Sequence, residues 1–139
     1  MTTTQVSQLE STFCGANGLS LFYQAWYPQR TVKAAIAIVH GFGEHCDRYS
    51  TVTTALTQAG YAVFGFDNQG HGRSEGQRGH INRWQDYRDN VSAFLAQVRQ
   101  HEPNSPLFVL GHSLGGLIVL DFALNAPQGL TGIIISGPP

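Results

Sequence analysis

The stretch Gly111-His112-Ser113-Leu114-Gly115-Gly116 sets a serine between glycines two positions to either side. The apolar run Leu107 to Leu110 leads into it, and an apolar helical pattern leads away. A strand that reverses into a helix within one or two residues pushes the intervening side chain outward and strains its backbone. Side chains at the flanking positions would collide in such a turn, which accounts for Gly111 and Gly115. The following helix would direct free N–H groups at a reacting oxygen. A serine so placed is suited to nucleophilic attack and acyl transfer. Gly72-Arg73-Ser74-Glu75-Gly76 has the same spelling, but Ser74 lies inside a long polar loop. Context selects Ser113.

A second cluster, His40-Gly41-Phe42-Gly43-Glu44-His45, follows another apolar run. Its glycines, Gly41 and Gly43, would let a backbone N–H face a cavity. Phe42 would supply one oxyanion donor and Leu114, just after the serine, the other, so the two N–H groups should converge on the Ser113 hydroxyl. The plainer alternative is a Gly-rich turn entering a helix capped by Glu44 or Asp47. Among six histidines, His40 and His71 are expected to shape loops by hydrogen bonding. His112 should point away from Ser113, and His45, His80 and His101 read as surface or loop residues. Neither the histidines nor Cys14 and Cys46 have metal-ligand spacing, so no metal or cofactor is expected.

These clusters need a scaffold that delivers them to one edge. Ala34 to Val39, Tyr61 to Phe66, Leu107 to Leu110 and Gly132 to Ile135 are continuous apolar runs, the pattern of parallel strands buried on both faces. Helical periods lie between them. Asp47 to Ala59 carries Tyr49, Val52, Leu56 and Ala59 at steps of three or four, and ends at Gly60. Ile81 to His101 repeats Trp84, Tyr87, Val91, Phe94 and Val98 as a core stripe, then meets Pro103. Leu114 to Ala126 is apolar nearly all round and should be buried. Before these, Glu10 to Cys14 and Leu19 to Trp26 flank a turn and predict an antiparallel hairpin. The alternation gives an open, doubly wound, mostly parallel α/β sheet with ligand-facing loops at the strands' carboxyl ends.

Composition narrows the function classes. In 139 residues, Lys and Arg number 8 against 9 Asp and Glu, so no basic face exists for nucleic acid. Glycine is over-represented, at 16 residues, against an average near 7%. The polar start, Met1 to Ser11, lacks a signal-peptide pattern, and no apolar run approaches the roughly 20 residues that span a bilayer. A reduced, cytosolic protein is expected, and surface attachment to a membrane is compatible with it. Residues 1–139 read as one domain unit without linkers.

Taken in order, the His40 to Tyr49 segment, Asp67-Asn68-Gln69-Gly70-His71-Gly72-Arg73-Ser74-Glu75-Gly76 and the Ser113 motif resemble the monoacylglycerol lipase and lysophospholipase branch of the α/β-hydrolases, the serine aminopeptidase S33 type. The resemblance runs from about Leu19 to the end. It implies Ser113 as nucleophile, Phe42 and Leu114 as oxyanion donors, and the loop 67–76 as architecture beside the site. In such hydrolases the triad runs Ser, then Asp or Glu, then His. After Ser113 this sequence has one acid, Asp121, inside the expected helix, and no histidine. The resemblance thus implies an N-terminal half, stopping before the cap and the last strands. Two function classes follow. One is a serine hydrolase of carboxylic esters, acting on lipid-like monoacylglycerols or lysophospholipids. The other is a non-catalytic remnant or interaction module. Self-association, or completion by a C-terminal half, is expected for a sheet ending on an Ile-rich strand.

Overall fold

A computed structural model describes residues 7–125 and 129–139. Among them, the β-branched and aromatic runs form six strands: β1 (Ser7–Cys14), β2 (Ser20–Tyr27), β3 (Ala35–Val39), β4 (Ala62–Phe66), β5 (Leu107–His112) and β6 (Gly132–Ser136). They make one sheet in the order β1-β2-β4-β3-β5-β6. β1 and β2 form the expected hairpin, from Ser7 opposite Tyr27 to Cys14 opposite Ser20, and β2 joins β4 antiparallel. Asn17 and Gly18 turn this hairpin with φ of 59° and 73°. From β4 through β3 and β5 to β6 every pairing is parallel. The helices α1 (Ser50–Gln58), α2 (Trp84–His101) and α3 (Leu114–Asn125) are the crossovers, with a short 3-10 turn, Cys46–Tyr49, ahead of α1.

β3 and β4 are buried at every position, as their uniform apolar runs predict. α2 lays Tyr87, Val91, Phe94, Leu95 and Val98 against Phe13, Leu21, Tyr23, Phe64 and Phe66. The rings of Phe66 and Phe94 sit 4.5 Å apart. Each such side chain contributes about 1.5–3 kcal/mol through burial. Beneath α2, buried polar groups find distant partners. Asn90 accepts the Ala16 N–H at 2.7 Å and donates to Gln69 Oε1 at 3.1 Å, tying the hairpin turn to the loop after β4.

Four expectations are corrected. In α1 the buried stripe is Thr53 and Thr57, whereas Val52 is exposed and Leu56 half-buried. Thr57 gives its hydroxyl to the Thr53 carbonyl, 2.9 Å away, and so sits buried at little polar cost. Trp84 opens α2 on the surface, stacked edge-on to Tyr87, because the helix reaches the sheet only from Asp86 onward. α3 is not buried all round: Leu117, Leu120 and Leu124 are 40%, 43% and 76% exposed. α3 packs through Ile118, Val119 and Phe122, and among the described residues its outer side meets only the start of α2, where Arg88 pairs with Asp121 at 2.8 Å. β5 and β6 are likewise half-buried, since Phe108, Leu110 and Ile134 occupy a sheet face without a covering helix among the described residues. Ala126, the expected end of the third helix, lies outside the described residues.

Candidate active site

β5 delivers Ser113 to the carboxyl edge of the sheet, and α3 begins at the next residue. Ser113 has φ of 55°, a left-handed conformation that non-glycine residues rarely adopt. Three contacts hold it there. Its N–H donates to the Ser136 carbonyl at the end of β6, 2.9 Å away, and its own carbonyl accepts from Gly116 and Leu117 N–H. The flanking glycines answer to sterics. A Cβ on Gly111 would meet the Gly115 carbonyl oxygen at 2.3 Å, and one on Gly115 would meet the Val39 oxygen at 2.0 Å. The turn therefore brings β5, α3 and β3 into backbone contact that no larger residue permits.

The loop after β3 lies against this turn. A Cβ on Gly41 would fall 3.2 Å from Ser113 Cβ and 3.1 Å from the His112 oxygen. Gly43 carries φ of 75°, turning the chain back. Among the described residues, no hydrogen bond takes up the Phe42 or Leu114 N–H, while the Phe42 side chain is largely exposed. Glu44 accepts from the Gly41 N–H (3.3 Å) and the Tyr49 hydroxyl (2.6 Å). Burial acts to raise its carboxyl pKa, but these two donors outweigh that and hold it below the ordinary value. Glu44 thus braces the loop from within rather than capping α1, whose first turn has no side-chain cap.

His40 is fully buried and fixed in one tautomer. Its Nε2 accepts the Asn68 N–H at 2.8 Å, so Nδ1 carries the proton and donates to the Gly41 carbonyl at 2.7 Å. Burial pulls its pKa down to about 4. His71 packs 5.3 Å from His40 and edge-on to Phe42 at 5.4 Å, with Nδ1 on the Gln69 carbonyl. His112 meets Ser136 Oγ through Nδ1, 3.2 Å away, and lines a cavity of about 370 Å³ with Glu44, Arg48, Tyr49 and Leu110. His101, read as a surface residue, is half-buried and pairs Nε2 with the Tyr23 hydroxyl at 2.9 Å. None of these rings is hydrogen-bonded to Ser113 Oγ among the described residues.

Asp67, read as loop architecture, is the fastener between the two glycine-rich loops. Its carboxylate accepts the Cys46 N–H at 2.7 Å and the Arg73 N–H at 2.9 Å. Ser74 is buried and structural. Its hydroxyl donates to the Asp67 carbonyl and accepts the Phe22 N–H. The signal for Asp67 was an acid directly after a wholly apolar strand, where a buried carboxylate must find backbone donors. Among the described residues, no group of three or more His, Cys, Asp or Glu is arranged to hold a metal ion.

Residues 30–139 match the family described as serine aminopeptidase, S33. The chain belongs to that family. Its sequence is 32% identical over 129 residues to a monoacylglycerol lipase of Mycolicibacterium smegmatis, covering 93% of this chain and 46% of the relative. It is 37% identical over 123 residues to the monoglyceride lipase of Rattus norvegicus, covering 88% and 41%. A thermostable carboxyl esterase from Bacillus coagulans superposes with a TM-score of 0.86 at 26% identity, over 94% of this chain and 44% of the other. The S33 chain thus has the α/β-hydrolase fold and spans less than half the length of the relatives it matches. No described helix is long and apolar enough to cross a membrane.

Proposed function

We propose that this S33 chain carries the nucleophile and oxyanion half of a serine hydrolase for carboxylic esters of the monoacylglycerol or lysophospholipid type. The observation that supports it is Ser113 at φ 55°, between glycines that admit no side chain, with the Gly41 loop packed on it. In this reading Ser113 Oγ attacks the ester carbonyl carbon. The carbonyl oxygen becomes an oxyanion, and the free N–H groups of Phe42 and Leu114 stabilise it. The alcohol leaves with a proton, the acyl group stays on Ser113, and water releases it as the acid. Gly111, Gly115, Gly41 and Gly43 make the close approach. His40 and His112 shape the loops.

The proton of Ser113 needs a base. His40 does not serve, because its Nε2 lone pair is engaged by Asn68 and its pKa is about 4. With no imidazole hydrogen-bonded to Ser113 among the described residues, residues 1–139 alone are a slow esterase. Positioning and oxyanion donors without the base leave about 10³–10⁴-fold over water. Hydrolysis of a p-nitrophenyl ester, with mass mapping of the acylated peptide, tests the assignment. Slow, Ser113-dependent turnover with the acyl group on the Ser113 peptide supports it. An unchanged rate in Ser113→Ala, or acylation at Ser74 or elsewhere, overturns it. The lipid-like substrate class rests on the lipases and esterase the chain resembles. Self-association through the β6 edge, which no described strand pairs, belongs to the same reading.

A further inference from the structure

The carbonyl and N–H of one peptide unit lie in a common plane, so whatever holds the carbonyl also aims the N–H. Two consecutive peptides after β3 are held in this way. The His40–Gly41 unit accepts Asn68 Nδ2 on its carbonyl at 3.0 Å and gives its N–H to Glu44 Oε2 at 3.3 Å. The Gly41–Phe42 unit accepts two donors on its carbonyl, His40 Nδ1–H at 2.7 Å and the Glu44 N–H at 3.2 Å. Its own N–H, that of Phe42, is the group that no hydrogen bond takes up among the described residues.

Both units trace back to Asn68, which is 2% exposed. The parallel register that sets Val39 opposite Phe66 carries Asn68 alongside His40. Asn68 then grips His40 twice. Its backbone N–H meets the ring at Nε2, 2.8 Å away, and its side-chain amide meets the carbonyl. The first bond puts the ring proton on Nδ1, where it can reach the Gly41 carbonyl. Asn68 is itself anchored, since its carbonyl accepts the His71 N–H at 2.9 Å. An asparagine just past a strand commonly bonds within its own turn; here the side chain crosses to a residue 28 positions away.

The bonds run in series, from Asn68 N–H through the His40 imidazole and the Gly41 carbonyl to the Phe42 N–H. In a buried chain of this kind each bond polarises the next, which strengthens the terminal donor. We infer that Asn68 is a positioning residue for the oxyanion donor at Phe42, setting the His40 ring with its backbone N–H and the loop with its side-chain amide. The inference rests on the ester-hydrolase reading of Ser113.

The test compares the full chain with Asn68→Leu, of similar size but without the amide, and Asn68→Asp, which keeps the shape and loses the donor. Acylation of Ser113 by p-nitrophenyl acetate is followed across ester concentrations, per folded molecule by circular dichroism. The maximal rate should fall about tenfold in both variants, with the half-saturating ester concentration unchanged, the mark of an interaction used only in the transition state. The Phe42 amide resonance should move in both, while in Asn68→Leu the His40 nitrogen resonances keep the Nδ1–H tautomer. Asn90→Leu, which unties the same loop from the hairpin through Gln69, should leave the rate per folded molecule unchanged. Equal rates in the parent and both Asn68 variants, or an equal loss in Asn90→Leu, would overturn the inference while Ser113 stays acylated. A parent chain acylated elsewhere than Ser113 would overturn the ester-hydrolase reading, and this inference with it.

Discussion

Replacing Gly115 with alanine tests the central steric claim. The added methyl would lie 2.0 Å from the Val39 oxygen and 2.6 Å from the His40 oxygen, both backbone atoms. Reaching a tolerable 3 Å requires roughly 1 Å of retreat by α3 from β3, which loosens Ile118 and Val119 from the core. Overpacking of this kind costs about 1–3 kcal/mol, and rigid carbonyls place it near the top of that range. Alanine regains about 1 kcal/mol of helix propensity, leaving a net loss of about 2 kcal/mol. With a urea dependence of about 1.5 kcal/mol per molar, the unfolding midpoint should fall by about 1.3 M. Gly43→Ala is the control. Gly43 has φ of 75° but open space around it, so only backbone strain of about 1 kcal/mol applies. The assay is urea unfolding followed by circular dichroism. A Gly115→Ala midpoint within about 0.3 M of the parent, or a larger loss for Gly43→Ala, would refute the reasoning.

Three further outcomes are expected. His40 is held neutral with a pKa of about 4 in the fold, against an ordinary 6.5, so the unfolded chain takes up the proton first. Its contribution, about 3 kcal/mol, is full above pH 6.5 and lost as the pH falls toward 4. Urea midpoints at pH 7 and 4.5 should show that decline, and His40→Gln should flatten it; a flat parent profile contradicts the burial argument. Asp67→Asn replaces an acceptor of two N–H groups with one that turns an amide donor toward Cys46 or Arg73. That should cost about 2–3 kcal/mol and several degrees of melting temperature, and an unchanged melt would show that the carboxylate is dispensable. Ile134, 44% exposed on β6, should when changed to lysine shift size-exclusion elution from an associated species to a monomer. Elution of the parent as a monomer at the same concentration argues against self-association.

The strand–turn–helix around Ser113 was legible because its causes are local: an apolar run, two glycines and a helical period within a short window. The parallel order was legible from alternation. Burial was less so, since it depends on what a segment meets rather than on what it contains. Leu117, Leu120 and Leu124 look like core in the sequence but face outward, and Ile134 does the same on β6. The stripe of α1 departs from the periodicity because threonine counts as polar there, yet Thr53 and Thr57 are the buried positions and Val52 stays outside. Asn90 and Asp67 escaped notice as fasteners because their partners, Ala16 and Cys46, stand far away in sequence. No window short enough to show periodicity could join them.

The hydrogen bond from Ser113 N–H to the Ser136 carbonyl has a consequence for biosynthesis. During translation Ser113 leaves the ribosome well before residue 136, and at about 5–20 residues per second the interval is roughly one to five seconds. Throughout it β5 has no β6 partner, and the left-handed serine lacks the acceptor that holds its N–H. The hairpin β1–β2 and the β3–β4 pair can already be in register by then. The nascent chain therefore settles its reactive turn after the β1–β4 part of its scaffold, and a pause that holds residue 136 inside the ribosome once Ser113 has emerged would expose that turn longest to chaperones and proteases.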